Sequence, residues 1–82
     1  MTEASNVITV KNLPKKLIAV RRKLGLTQTQ MAKRIGLGVS PAHVEEFERG
    51  FTEPDLNILL VYSEIAGVHM ERLVNDNLEL PE

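Results

Sequence analysis

The chain contains no cysteine and no tryptophan, and only three of its 82 residues are aromatic. Without cysteine the fold can hold no disulfide, and the two isolated histidines, His43 and His69, lack the spacing of a metal site. The scarcity of aromatic side chains argues against a platform on which single-stranded bases stack. The core must therefore be aliphatic, and we expect neither a metal nor any other cofactor.

Long apolar runs are also missing. The longest, residues 58–62, is far too short to span a bilayer, and the first residues, MTEASN, lack the basic start and apolar stretch of a secretory signal. We therefore expect a cytoplasmic protein with no membrane partner. A chain of this length has room for one small domain.

Charge is distributed unevenly along the chain, although the formal net charge is only −1. Residues 1–34 hold eight basic residues and one acid, whereas residues 35–82 hold two basic residues and ten acids. Such a chain can turn a basic face toward an anionic partner. An unevenly charged surface that is simply solvated would give the same pattern.

Signals for helix starts and stops predict five helices with short links. Asn12 is a suitable N-cap for the first helix, Pro14 fits its first turn, and Gly25 follows its last apolar residue. Thr27 and Ser40 are the predicted caps of the next two helices. The remaining predicted helices cover residues 28–35, 41–49, 54–66 and 70–74.

The second and third predicted helices, joined by a few glycine-containing residues, form the minimal pattern of a helix-turn-helix. The sequences GLTQTQMA (residues 25–32), ERG (48–50) and AGV (66–68), together with Pro54, occur at the spacing of a known family. They resemble the lambda-repressor-like Cro and XRE family of DNA-binding domains over roughly residues 13–74. The resemblance implies an all-α, five-helix lambda-repressor-like fold, with the third helix in the major groove and the second across the backbone.

The two ends of the chain carry weaker signals. Residues 6–10 alternate β-branched side chains, and residues 78–81 form a short tail, so either could be a strand in an assembly. A frayed terminus is the preferred interpretation for each. We therefore divide the chain into an N-terminal arm (1–11), the helix-turn-helix domain (12–75) and a C-terminal tail (76–82).

The resemblance gives roles to three polar residues. Gln28 matches a glutamine that contacts a DNA phosphate, beside a helix N-terminus whose free N–H groups favour anions. A solvent-exposed glutamine in a first turn would look the same in the sequence. Arg21 and Glu48 match a buried ion pair that ties helix one to the end of helix three, so removing either should harm folding more than binding.

Four positions of the third helix are groove-facing by the same resemblance: Ser40, Pro41, Ala42 and Glu46. The Glu46 carboxylate can accept a hydrogen bond from cytosine N4, and the Ala42 methyl can touch a thymine methyl. A solvated Glu46 without a partner is equally compatible with the sequence.

Two departures from the family pattern bear on DNA binding. Compared with the commonest family spacing, this chain has two additional residues between Met31 and Glu48, most naturally within residues 36–38. They can change the angle at which helix three enters the groove. Phe51, Thr52 and Glu53 stand where the family often has a basic residue that contacts phosphate. Phosphate contacts would then come from helices one and two. The basic residues available there are Lys15, Lys16, Arg22, Lys23, Lys33 and Arg34.

Lys33 and Arg34 also suit a second interpretation, in which they offset the dipole at a helix C-terminus. The complete set of candidate DNA-binding residues is Thr27, Gln28, Lys33, Ser40, Pro41, Ala42, His43, Glu46 and Arg22.

The fourth helix carries more apolar residues than one buried stripe requires. Five residues match the inward face of the family: Leu56, Leu59, Tyr62, Ser63 and Ala66. Ile58, Val61 and Ile65 then lie on another side, which suggests a homodimer interface. A segment of the same chain, at residues 7–10 or 78–80, could cover this stripe instead.

These observations predict a small transcriptional regulator that binds double-stranded DNA sequence-specifically as a homodimer, with no small-molecule substrate. The alternative is a repressor-like fold used as a protein–protein interaction module, antitoxin-like or adaptor, with little or no DNA binding. No nucleophile elbow, phosphate loop or metal motif is present, so we do not expect an enzyme.

Overall fold

The computed structural model describes residues 11–80, which form five α-helices. The helices are α1 (Leu13–Lys23), α2 (Gln28–Ile35), α3 (Pro41–Arg49), α4 (Leu56–Ala66) and α5 (Met70–Val74). No strand occurs within this part of the chain. The predicted all-α, five-helix fold is therefore confirmed, whereas most of the predicted N-terminal arm lies outside the described residues.

One hydrophobic core connects all five helices. Each helix contributes one side chain that is fully shielded from solvent. These residues are Leu17, Met31, Val44, Tyr62 and Leu73. Because the shared core involves every helix, the mutual orientation of α2 and α3 depends on packing throughout the domain.

Local capping sets the starts of α2, α3 and α4. The Thr27 hydroxyl accepts the Gln30 N–H at 3.1 Å, and the Gln30 side chain accepts the Thr27 N–H at 2.9 Å, which is a capping box. Ser40 and His43 form the same arrangement at α3. Asp55 caps α4 by accepting the Ile58 N–H at 3.0 Å.

The predicted side-chain cap at Asn12 is wrong. Asn12 lies in helical conformation, with φ −90° and ψ −1°, and its side chain accepts no capping hydrogen bond. A capping side chain needs extended backbone at this position. The Asp76 carboxylate accepts the N–H groups of Lys11 and Asn12 instead, each at 3.0 Å.

The turn between α2 and α3 has an unusual backbone. Gly36, Leu37 and Gly38 have φ values of 71°, 55° and 76°. Leu37 is the only non-glycine residue with positive φ among residues 11–80, and it is 63% exposed. Residues 36–38, where the two additional residues are expected, thus form a run of positive-φ backbone, which glycine adopts readily and leucine does not.

The prediction of a frayed C-terminal end at residues 78–81 is wrong for residues 78–80. The Lys16 ammonium donates hydrogen bonds to the carbonyl groups of Arg72, Asn75 and Leu78 at 2.7, 2.9 and 2.7 Å. Leu80 packs against the hydrophobic core. Residues 78–80 form no strand, and they extend the domain by packing on α1.

The inward face predicted for α4 is partly correct. Tyr62 and Ser63 are buried as predicted, but Leu56 is 61% exposed because it begins the helix, beyond the core. Ile58, Val61 and Ile65 are half-buried and contact the core. The outward stripe is therefore less exposed than the spacing of its residues predicts.

Candidate nucleic-acid interface

The pair Arg21 and Glu48 joins α1 to the end of α3. Arg21 Nε donates to Glu48 Oε2 at 2.7 Å, and Nη2 donates to Oε1 at 3.0 Å. The side chains are only 15% and 4% exposed. A third donor, Nη1, reaches the Leu26 carbonyl at 3.0 Å. The hydrogen bond with Glu48 raises the pKa of Arg21 despite the opposing effect of burial.

Gln28 is connected to this pair. It is half-buried, and its Nε2 donates to Glu48 Oε1 at 3.1 Å. A primary amide has two N–H donors and a carbonyl acceptor, so this bond leaves the second donor and the oxygen for another partner. The first turn of α2 is therefore held against the α1–α3 ion pair while its flanking residues, Thr27 and Thr29, are exposed.

Tyr62 lies beside the same charges with a buried hydroxyl. That hydroxyl is the only buried side-chain polar atom of residues 11–80 without a hydrogen-bond partner. Burial, and then the charge of Glu48, raises the pKa of Tyr62 against the lowering effect of Arg21. The phenol stays neutral, so the ion pair is not joined by a third charge.

The outer surface of α3 presents its first turn to solvent. Pro41, Ala42 and His43 are exposed, and Ser40 and Glu46 are half-buried. The opposite face is formed by the buried residues Val44, Phe47 and Glu48. The structure thus brings the candidate α3 residues together on one end of a helix that is anchored from behind.

The acidic residues of α3 have three different environments. Glu48 points inward to Arg21, as described above. Glu45 faces Arg49 across an exposed contact, with Nη1 and Oε2 3.8 Å apart. The Arg49 guanidinium also lies 4.5 Å from the centre of the Phe51 ring. Glu46 is the one acid of α3 without an ion pair among the described residues.

α2 and α3 contact each other more extensively than any other two helices, and α1 packs against α3. A short left-handed turn connects them, and the exposed first turn of α3 follows it. The family model described as helix-turn-helix matches residues 17–73.

The chain belongs to the helix-turn-helix family.

A solved structure supports the same assignment. The P22 c2 repressor protein, crystallised in complex with synthetic operator 9T in the presence of Tl⁺, shares 29% of its sequence with this chain at a TM-score of 0.69. The match covers 76% of this chain and 91% of that one. No match was found among the curated proteins. The resemblance to lambda-repressor-like domains is confirmed.

The basic residues of this helix-turn-helix domain divide into two groups. Arg22, Lys33 and Arg34 are exposed, as is Lys15. Lys16 was expected among the phosphate contacts, but it is 8% exposed and its ammonium is committed to three carbonyl groups. That expectation is wrong, because a buried ammonium surrounded by acceptors cannot also reach a phosphate.

Three features of the helix-turn-helix domain were missed by sequence reasoning. They are the Gln28–Glu48 hydrogen bond, the capping role of His43 and the support of α1 by Asp76. Only the His43 cap has a local sequence signal, since it stands three residues after Ser40. Within residues 11–80 no helix is long and apolar enough to cross a membrane, and no three acidic or histidine side chains form a metal cluster.

Proposed function

We propose that this protein binds double-stranded DNA sequence-specifically as a small transcriptional regulator. The observation that carries the proposal is the exposed first turn of α3, residues 41–43, held beside the first turn of α2 by the Arg21–Glu48 pair. In helix-turn-helix proteins the N-terminal residues of the second helix contact base edges. The similarity to a repressor solved with its operator supports this use of the surface.

Phosphate contacts are assigned to the start of α2 and the residues around it. Gln28 retains an amide donor, and the helix N-terminus adds partial positive charge. Thr27 is exposed next to it, although its hydroxyl already caps the helix. Arg22 and Lys33 add exposed positive charge on α1 and α2. These contacts fix the position of the protein on the duplex and carry little sequence information.

Base contacts are assigned to α3. The Glu46 carboxylate can accept a hydrogen bond from cytosine N4, and the Ala42 methyl can pack on a thymine methyl. Ser40 and Pro41 lie at the start of the helix, the part of a recognition helix that contacts base edges. Because no arginine or lysine stands in this first turn, the bidentate contact that arginine makes with guanine is not available there.

The test is a binding assay against random duplexes over a salt series. With two cations at phosphates, Arg22 and Lys33, affinity should fall roughly twelvefold between about 50 and 200 mM salt. The double variant Gln28→Ala, Lys33→Ala should lose duplex binding, whereas the control Arg72→Ala, which removes a charge from α5, should bind normally. Absence of saturable duplex binding at low salt would favour the protein–protein interaction module instead.

We also propose that the regulator acts as a homodimer through α4. Ile58, Val61 and Ile65 are half-buried, and Leu60 adjoins them with 41% of its surface exposed. A two-fold interface at α4 would let two α3 helices enter successive major grooves. Sedimentation at high micromolar concentration should show a dimer, and a monomer under those conditions would contradict the proposed interface.

A further inference from the structure

His43 has a role in α3 beyond that of an exposed helix residue. Its backbone N–H donates to the Ser40 hydroxyl at 3.2 Å, and its Nδ1 accepts the Ser40 N–H at 3.0 Å. The ring also stacks on Phe47, with centroids 6.5 Å apart and planes 22° from parallel. The imidazole is therefore held by two partners, although the residue is exposed.

The bond from Ser40 decides which ring nitrogen carries the proton. A nitrogen that accepts a hydrogen bond has no proton, so neutral His43 must be protonated at Nε2. Protonation of the ring would add a proton at Nδ1 and leave the Nε2 proton in place. Nε2 is consequently a hydrogen-bond donor in both charge states, and it is never an acceptor while the cap is formed.

Glu46 is a hydrogen-bond acceptor close to the His43 donor. It lies one helical turn after His43, and both residues line a cleft of about 400 Å³ between α3, the α2–α3 turn and the start of α4. An ionised carboxylate only accepts hydrogen bonds. The α3 surface thus presents a donor and an acceptor at neighbouring positions.

A donor at His43 and an acceptor at Glu46 match different bases. In the major groove guanine presents two acceptors, N7 and O6, and cytosine presents the N4 donor. A fixed donor at His43 matches guanine, and the Glu46 carboxylate matches cytosine. Adenine also has an N7 acceptor, but its N6 amino group is a donor where guanine has O6, and a fixed donor beside it is unfavourable.

We propose that His43 is a specificity-determining residue that reads guanine through Nε2–H, with its tautomer fixed by Ser40. This inference rests on the proposed function, because it requires α3 to lie in the major groove. It adds a base preference that a solvent-exposed histidine of undefined tautomer would not give.

Two substitutions at His43 test its donor role while they preserve its capping role. Glutamate and glutamine at the third helical position both preserve the capping box with Ser40. His43→Glu then offers only acceptors to the groove, whereas His43→Gln retains an amide donor. Both variants lose the ring contact with Phe47. Their melting temperatures should therefore match each other, so that a difference in base preference between them does not come from a lost cap.

The experiment is selection of duplexes from a random library by the wild type and the two variants. The wild type should prefer guanine at one position of each half-site by about tenfold, His43→Gln should retain that preference, and His43→Glu should reduce it to within about twofold. Preferences at the other positions should be the same in all three proteins.

The result distinguishes this inference from the proposed function. If the wild type selects no duplex sequence, the proposed function itself fails. If it selects a sequence and His43→Glu keeps the same preference at every position, only the reading role of His43 is overturned. It is also overturned if the substitution alters a position at which the wild type selects a base other than guanine.

Discussion

Arg21→Ala should lower the free energy of unfolding by about 3–5 kcal/mol, because it leaves the Glu48 carboxylate buried without its cation. The Glu48 side chain is only 4% exposed, and two of its hydrogen bonds come from Arg21. The bond from Gln28, at 3.1 Å, would remain, but a neutral amide cannot balance the charge. Denaturant unfolding followed by circular dichroism measures the change.

The exposed pair on α3 provides a control for this prediction. The side chains of Arg49 and Glu45 are 59% and 52% exposed, and Arg49 Nη1 lies 3.8 Å from Glu45 Oε2. Exposed pairs contribute little, so Arg49→Ala should change stability by less than about 1 kcal/mol. A melting temperature unaffected by Arg21→Ala would show that the buried pair does not hold the domain together.

A double substitution tests the cause of the destabilisation. If the cost comes from an unpaired buried charge, Arg21→Met combined with Glu48→Leu should recover much of the lost stability. The double variant also loses the acceptor of Gln28. It should therefore fold well and still bind DNA less tightly than the wild type, because the amide at the start of α2 is no longer oriented by Glu48.

The helix boundaries could be predicted because their signals are local. Thr27 and Ser40 each bond to a residue three positions later, and Gly50 takes the left-handed conformation that ends α3. These interactions involve neighbours in the chain, so residue identity and spacing determine them. The bounds of α2, α3 and α5 agree with those expected from the sequence.

The support of α1 by the C-terminal residues could not be predicted. Lys16 bonds to carbonyl groups 56 to 62 positions away, and Asp76 bonds to N–H groups 64 and 65 positions away. Backbone groups are the same at every residue, so no side-chain pattern reveals which of them a distant lysine will meet. In the sequence, therefore, a lysine that becomes buried cannot be distinguished from one that stays exposed.

The residues of the candidate site could be predicted from the sequence, but their contacts with one another could not. Sequence reasoning selected Gln28, His43 and Glu46, but it could not tell that Gln28 bonds to Glu48 or that His43 caps α3. The Gln28 bond depends on how α2 packs against α3. The His43 cap is local, but it places a histidine where a capping box usually has glutamate or glutamine. Part of the acidity of α3 was explained in advance, since the family resemblance predicted that Glu48 pairs with Arg21. The contact between Glu45 and Arg49 was found only in the structure.

Lys16→Met should lower the free energy of unfolding by about 3 kcal/mol, because it removes three charge-assisted hydrogen bonds at once. Methionine can keep the apolar contacts of the lysine stem but cannot donate to the carbonyl groups of Arg72, Asn75 and Leu78. Without the ammonium, residues 76–80 should lose their attachment to α1. Denaturant unfolding measures the stability, and amide hydrogen exchange measures the release of the tail.

Lys15→Met is the matched control, since it removes the same charge from the neighbouring residue of the same helix. Lys15 is exposed and Lys16 is buried, so only the second substitution should destabilise the domain. In hydrogen exchange, the Leu78 amide, which donates to Asn75 at 3.0 Å, should lose protection in Lys16→Met alone. Equal stability and equal tail protection in the two variants would show that the buried ammonium does not hold the C-terminal residues on α1.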